Sequence, residues 1–135
     1  MKKERFIPWG RTLTTKDNYL PSSTKSTKTR PVVVVDNNKN DLAVVPLSTT
    51  PGKNRTELKG YKNPKTNRPT YYKHYLETKD NEGQPIRVND KFRENHKNMD
   101  VSRDQVLDIR QKILTDVRTK QRNRKMLDAF HSKRK

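Results

Sequence analysis

The sequence contains no cysteine. That excludes both a disulfide framework and a cysteine zinc site. Histidine is scarce as well, with three residues, His74, His96 and His131. They show no metal-ligand spacing, and no carboxylate pair forms a recognisable metal motif, so neither metal nor cofactor is expected. Long hydrophobic runs are missing too, which leaves no candidate transmembrane span. The opening Met1-Lys2-Lys3-Glu4-Arg5 is not followed by an apolar stretch and a cleavage site. No secretory signal is expected, and a cytoplasmic location fits. Aromatics make up 7% and hydrophobics 27% of 135 residues. Any core must therefore be small, and dimerisation would help to stabilise it.

What is abundant is positive charge. Lysine and arginine number 32 against 15 acids, for a net charge of +17. The cations run from Lys2 to Lys135 rather than forming one tail. Such a field attracts polyanions, because neutralising phosphates releases counterions. Nucleic acid is the leading partner class, an acidic protein the second and an anionic membrane a distant third.

The one dense apolar block lies within Lys28 to Thr50, KTRPVVVVDNNKNDLAVVPLSTT. Val32 to Val35 are four β-branched residues in a row, and Leu42 to Leu47 form a second run. The turn-tolerant Asp36 to Asp41 lie between them, so the block reads as a hairpin. Neither run alternates with polar residues, which predicts two central strands covered on both faces. With its centre near Asn38 and Lys39, antiparallel pairing sets Arg30 nearly opposite Leu47 and Ser48. A guanidinium and a hydroxyl, with Thr49 beside them, then share the hairpin's open end. The alternative is a polar strand exit beside one more surface cation.

Around this hairpin, Phe6 to Leu13 reads as a first strand and Thr14 to Thr29 as a basic Ser/Thr-rich loop. That loop is able to fold over a bound strand and present Lys25 and Lys28 to phosphates. Pro51 to Arg55 is a basic turn carrying Lys53 and Arg55, and Lys59 to Pro69 is a further loop. Thr70 to Glu77, TYYKHYLE, reads as a strand with Tyr71, Lys73 and Tyr75 on one side. Interleaved aromatics and cations suit single-stranded nucleic acid, since stacking takes any base while cations track the backbone. Trp9 is assigned to the core. A turn at Asn81-Glu82-Gly83 leads to a strand over Ile86–Val88. Ser102 and Gln105 have capping-box spacing, and Val101 with Val106 has staple spacing. The helix they open carries Val106, Ile109, Ile113 and Val117 as an apolar stripe, joined by Leu107 and Leu114. The tail beyond Arg118 is strongly basic.

Arg-Pro-Val-Val-Val-Val, a polar turn, then Val-Val-Pro-Leu-Ser-Thr resembles the core of the PemK/MazF toxins. These are small SH3-like barrels that act as ribonucleases in toxin–antitoxin pairs. Arg30 matches the family's arginine-proline position, and Ser48 followed by Thr49 matches its hydroxyl position. Pro85 to Asp90 resembles a later strand in which some members carry a catalytic Arg and Asp. Arg87 matches that Arg, whereas Asn89 stands at the Asp position with Asp90 one place on. Met99 to Leu114 resembles the C-terminal helix.

The resemblance implies an α+β protein, a small SH3-like β-barrel with a C-terminal helix and basic extensions. Residues 1–28 form the N-terminal strand and loop, 29–117 the barrel core with helix, and 118–135 a basic extension. It implies a metal-independent endoribonuclease toxin that cuts single-stranded RNA through the substrate's 2′-hydroxyl. The implied toxin is a homodimer neutralised by an acidic antitoxin. In this scheme Arg30 and Arg87 stabilise the phosphorane, Ser48 and Thr49 bond the scissile phosphate, and the proton-transfer roles stay unassigned. Lys25, Lys28, Lys53, Arg55, Tyr71 and Lys73 are the expected RNA-binding residues. The rival expectation is a non-catalytic nucleic-acid-binding protein on the same barrel.

Overall fold

A computed structural model describes residues 6–21, 27–64 and 66–114. Its scaffold is the hairpin of β2 (Thr29–Asn38) and β3 (Asp41–Ser48). Lys39 and Asn40 form the two-residue turn with φ of 53° and 66°. Two successive left-handed residues are what a tight hairpin turn requires, and asparagine tolerates that geometry. The Asn37 side chain secures the turn by accepting the Asn40 N–H at 2.6 Å and donating to the Ile7 carbonyl at 2.8 Å. Pairing runs Asn38↔Asp41 to Asp36↔Ala43, shifts by one residue, and resumes at Val34↔Val44 as far as Val32↔Pro46. The bulge keeps the valines in register with apolar partners on both faces.

Both strands are central, as their unbroken apolar runs predict. β1 (Thr12–Lys16), β4 (Arg55–Lys62), β5 (Pro69–Lys73) and β6 (Arg93–Glu94) complete a six-stranded antiparallel sheet. Its order is β4-β5-β3-β2-β1-β6. Val33, Val35, Val45, Leu47, Leu58 and Tyr72 cover one face and pack on the C-terminal helix α1 (residues 103–114). Val32, Val34, Leu42 and Val44 cover the other face, capped by Leu13, Ile86 and Phe92. Each fully buried aliphatic or aromatic side chain contributes roughly 1.5–3 kcal/mol. A two-sided sheet is how so few apolar residues close a core.

The helix begins as its capping box predicts. Gln105 Oε1 accepts the Ser102 N–H at 3.1 Å, and Ser102 Oγ accepts the Gln105 N–H at 3.3 Å. Val106, Ile109 and Ile113 are buried. Leu107 and Leu114 are not part of that stripe: they are exposed, since only the Val106–Ile109–Ile113 side meets the sheet. Val117 and the extension 118–135 lie outside the described residues. Trp9 packs partly buried on the core, with the Arg103 and Arg110 guanidinium carbons 5.3 and 4.3 Å from its ring centroid.

Three strand expectations are corrected. The first strand is not Phe6–Leu13, because Pro8 lacks a donor and Gly10 turns the chain at φ 91°. Phe6 is exposed, and pairing begins at Thr12, so Thr14–Lys16 are strand rather than loop. Thr70–Glu77 is strand only as far as Lys73, and Glu77 then meets Val44 in an isolated bridge. Ile86–Val88 forms only the bridge Leu42↔Ile86. No helix among the described residues is long and apolar enough to cross a membrane.

Candidate nucleic-acid interface

The site is built at the open end of the β2–β3 hairpin. Leu47 and Tyr72 are cross-strand partners that face the helix-side core. Alternation along the strands then turns Ser48, Tyr71 and Lys73 to the opposite face. Ser48 pairs with Tyr71, Tyr71 with Glu57, and Lys73 with Arg55. Extending the β2–β3 register by two residues brings Arg30, the partner of Thr15, opposite Ser48. One row therefore reads Thr15, Arg30, Ser48, Tyr71, Glu57, and the next holds Lys73 and Arg55. Four residues distant in sequence, Arg30, Ser48, Arg55 and Lys73, share one patch.

Arg30 is anchored rather than loose. Its guanidinium forms an ion pair with Asp17 through Nε, and Nη2 lies 3.4 Å from Asp17 Oδ2. Nη1 donates to the Leu47 carbonyl at 2.9 Å, one residue from Ser48. Asp17 is buried in a 3-10 turn, Asp17–Tyr19, directly after β1. A carboxylate there needs a cation, and Arg30 supplies it.

Arg55 holds the hydroxyl side. Its Nη1 donates to Ser48 Oγ at 3.1 Å and to the Thr50 carbonyl at 2.8 Å. Ser48 Oγ also accepts the Thr50 N–H at 3.1 Å, which closes the turn after β3. Thr49 lies half-buried inside that turn. Lys73 completes the patch. Burial, then the Arg30 and Arg55 charges, push its ammonium pKa below the ordinary lysine value, with Asp17 opposing. Crowding of like charge at a half-buried ammonium is relieved by an arriving anion.

Of the expected RNA-binding residues, Arg55, Tyr71 and Lys73 belong to this patch. Lys28 and Lys53 are exposed at its margins, on the lead-in to β2 and the turn before β4. Lys25 lies outside the described residues. Arg87, expected to be catalytic beside Arg30, is at the other end of the hairpin. Its Nε donates to Asp41 Oδ1 at 2.7 Å beside the Lys39–Asn40 turn. At about 3.3 Å per residue, Asp41 and Ser48 are roughly 23 Å apart along β3. Asn89 is a turn residue whose Oδ1 accepts the Lys91 N–H at 2.9 Å and the Phe92 N–H at 3.2 Å. The register match that joined Pro85–Asp90 to Arg30 requires a strand that the chain does not form there.

Asp17 was missed from the sequence because it falls within the stretch read as loop. One signal was available: it is the sole acid between Glu4 and Asp36 in a markedly basic region. Among the described residues, no group of three or more His, Asp or Glu side chains is placed to hold a metal ion. No protein-family model, curated protein or solved structure matches the chain.

Proposed function

We propose that the chain is a PemK/MazF-like, metal-independent endoribonuclease whose substrate phosphate docks on Ser48, Arg55 and Lys73. The convergence of Arg30, Ser48, Arg55 and Lys73 at one hairpin end carries this reading. It is the placement that the arginine-proline resemblance implies for Arg30 and the hydroxyl residue. The six-stranded sheet, read at finer grain, is an SH3-like barrel. The net charge of +17 supports a polyanionic substrate.

In this mechanism the 2′-hydroxyl of the RNA attacks the adjacent phosphorus. The O2′–P bond forms as the 2′-hydroxyl gives its proton to solvent. The P–O5′ bond breaks as the leaving 5′-oxygen takes a proton from solvent, and a 2′,3′-cyclic phosphate and a 5′-hydroxyl remain. Arg55 and Lys73 stabilise the charge that builds on the non-bridging oxygens, and the Ser48 hydroxyl bonds one of them. Arg30 is a positioning residue: it locks Asp17 to the Leu47 carbonyl and so fixes the floor beneath Ser48. Arg87 has no part in the step. DNA is not cut, because it lacks the nucleophile. An acidic antitoxin, a homodimer and a cytoplasmic location complete the reading.

A second reading is RNA binding without cleavage. The location of Arg87 and the engagement of Arg30 with Asp17 and Leu47 favour it. One experiment separates the two: mixed-sequence single-stranded RNA is incubated with wild type, Ser48→Ala and Arg55→Ala in excess EDTA. Discrete cuts with cyclic phosphate ends from wild type, lost in both variants, support the ribonuclease. Retarded but intact RNA with wild type supports the binding module.

A further inference from the structure

Tyr75 lies just past the end of β5, where strand alternation no longer dictates its direction, yet it stays beside the cation patch. Lys73 Nζ lies 6.0 Å from its ring centroid. Tyr75 is 38% exposed, whereas the neighbouring Tyr72 is 5% exposed in the core. The tyrosines of TYYKHYLE thus divide by role. Tyr72 supports the fold, and Tyr71 sits in the row that ends on the acidic Glu57. That carboxylate disfavours a phosphate at the Tyr71–Glu57 end of the row, away from Ser48. On the Lys73 side the patch offers an ammonium and then a part-exposed tyrosine ring.

We propose that Tyr75 is a nucleobase-stacking subsite: with a phosphate held by Arg55 and Lys73, the base of the neighbouring nucleotide lies on the Tyr75 ring. The ligand class is single-stranded nucleic acid, RNA under the function proposed above, since a paired base cannot leave its stack to reach a flat aromatic without unpairing. Lys73 meanwhile serves both parts, turning from the ring face toward the phosphate as the base arrives. A ring that stacks any base confers preference for single strands without sequence preference. This subsite rests on the phosphate docking proposed above, although it does not require that the RNA be cut.

The test measures binding of the full chain to short single-stranded RNA carrying 2-aminopurine, and to a duplex of the same sequence. The proteins are wild type, Tyr75→Ala, Tyr75→Trp and Lys73→Ala. Tyr75→Ala should weaken single-strand binding by about 10-fold or more, remove part of the fluorescence quenching, and leave duplex binding unchanged. Tyr75→Trp should bind at least as tightly as wild type. Single-strand affinity unchanged in Tyr75→Ala, or equal losses for single strand and duplex, would overturn the subsite. If Tyr75→Ala has no effect while Lys73→Ala weakens binding, the subsite falls and the phosphate site stands. If wild type binds neither RNA, both fall together.

Discussion

Arg30 and Asp17 are ion-paired across the end of the β1–β2 ladder, with Arg30 also donating to the Leu47 carbonyl at 2.9 Å. The side chains are 21% and 8% exposed, so the pair is largely withdrawn from water. Asp17→Ala should cost about 1–3 kcal/mol, because it leaves a half-buried guanidinium without its carboxylate. Arg30→Ala should cost a similar amount, and the double variant less than the sum. Chemical denaturation of the four proteins measures the coupling. Strict additivity would mean that the pair contributes nothing.

Arg87 and Asp41 are 43% and 45% exposed, although their contact is 2.7 Å. An exposed pair of this kind is screened and contributes roughly 0–1 kcal/mol. Arg87→Ala is therefore expected to be nearly neutral for stability and, under the proposed ribonuclease reading, to leave RNA cleavage at the wild-type rate. Loss of cleavage by a folded Arg87→Ala protein would restore Arg87 to the reaction.

Lys73 gives the patch a pH signature. Its native pKa lies below 10.5, lowered by burial and by Arg30 and Arg55. Between that value and the unfolded value, the native state holds fewer protons than the unfolded one. Folding stability therefore gains from Lys73 as pH rises through this window. Binding of an anion goes the other way, because it favours the charged ammonium. RNA affinity should fall as pH climbs through the native Lys73 pKa, before the ordinary surface lysines titrate. Lys73→Arg should flatten that alkaline decline in a binding titration.

Gly10 makes a contact that no other residue can make. It turns at φ 91°, its N–H donates to the Val34 carbonyl at 2.8 Å, and its carbonyl accepts the Val101 N–H at 2.8 Å. A Cβ at this position would lie 2.0 Å from the Val101 carbonyl oxygen. Gly10→Ala should cost about 3 kcal/mol or more and loosen the N-terminal segment from the start of the helix. Thermal unfolding reads the loss directly.

Thr15 Oγ1 is buried with no hydrogen-bond partner, next to Arg30 in the same row. Removing an unsatisfied hydroxyl while keeping its shape lifts a desolvation penalty. Thr15→Val should raise stability by about 1 kcal/mol, and denaturant midpoints for the pair of proteins provide the check. A fall in stability would show that the hydroxyl has a role.

Local chemistry alone determined the hairpin and the helix start. Four consecutive β-branched valines, a turn of asparagines and a second apolar run have few alternatives to two central strands. Ser102 and Gln105 lie three residues apart, so their capping contacts are as local as the spacing that announces them. The turn sets the hairpin register to within the one-residue bulge between Val34 and Asp36, which is why the closeness of Arg30 to Leu47 and Ser48 was readable but its partner residue was not. Pairings between distant segments were not readable, because nothing local encodes them. Thr14–Lys16 look like loop until Thr29–Pro31 pair with them, and Asp17 looks like a solvated acid until Arg30 reaches it. Arg87 matched a motif by sequence neighbours, but a side chain's place depends on the strand it sits on. Only the tertiary structure decided that Ile86 would cap the second core and carry Arg87 to the hairpin turn. Ile86 is fully buried in that core, and the chain direction there sets where Arg87 can reach.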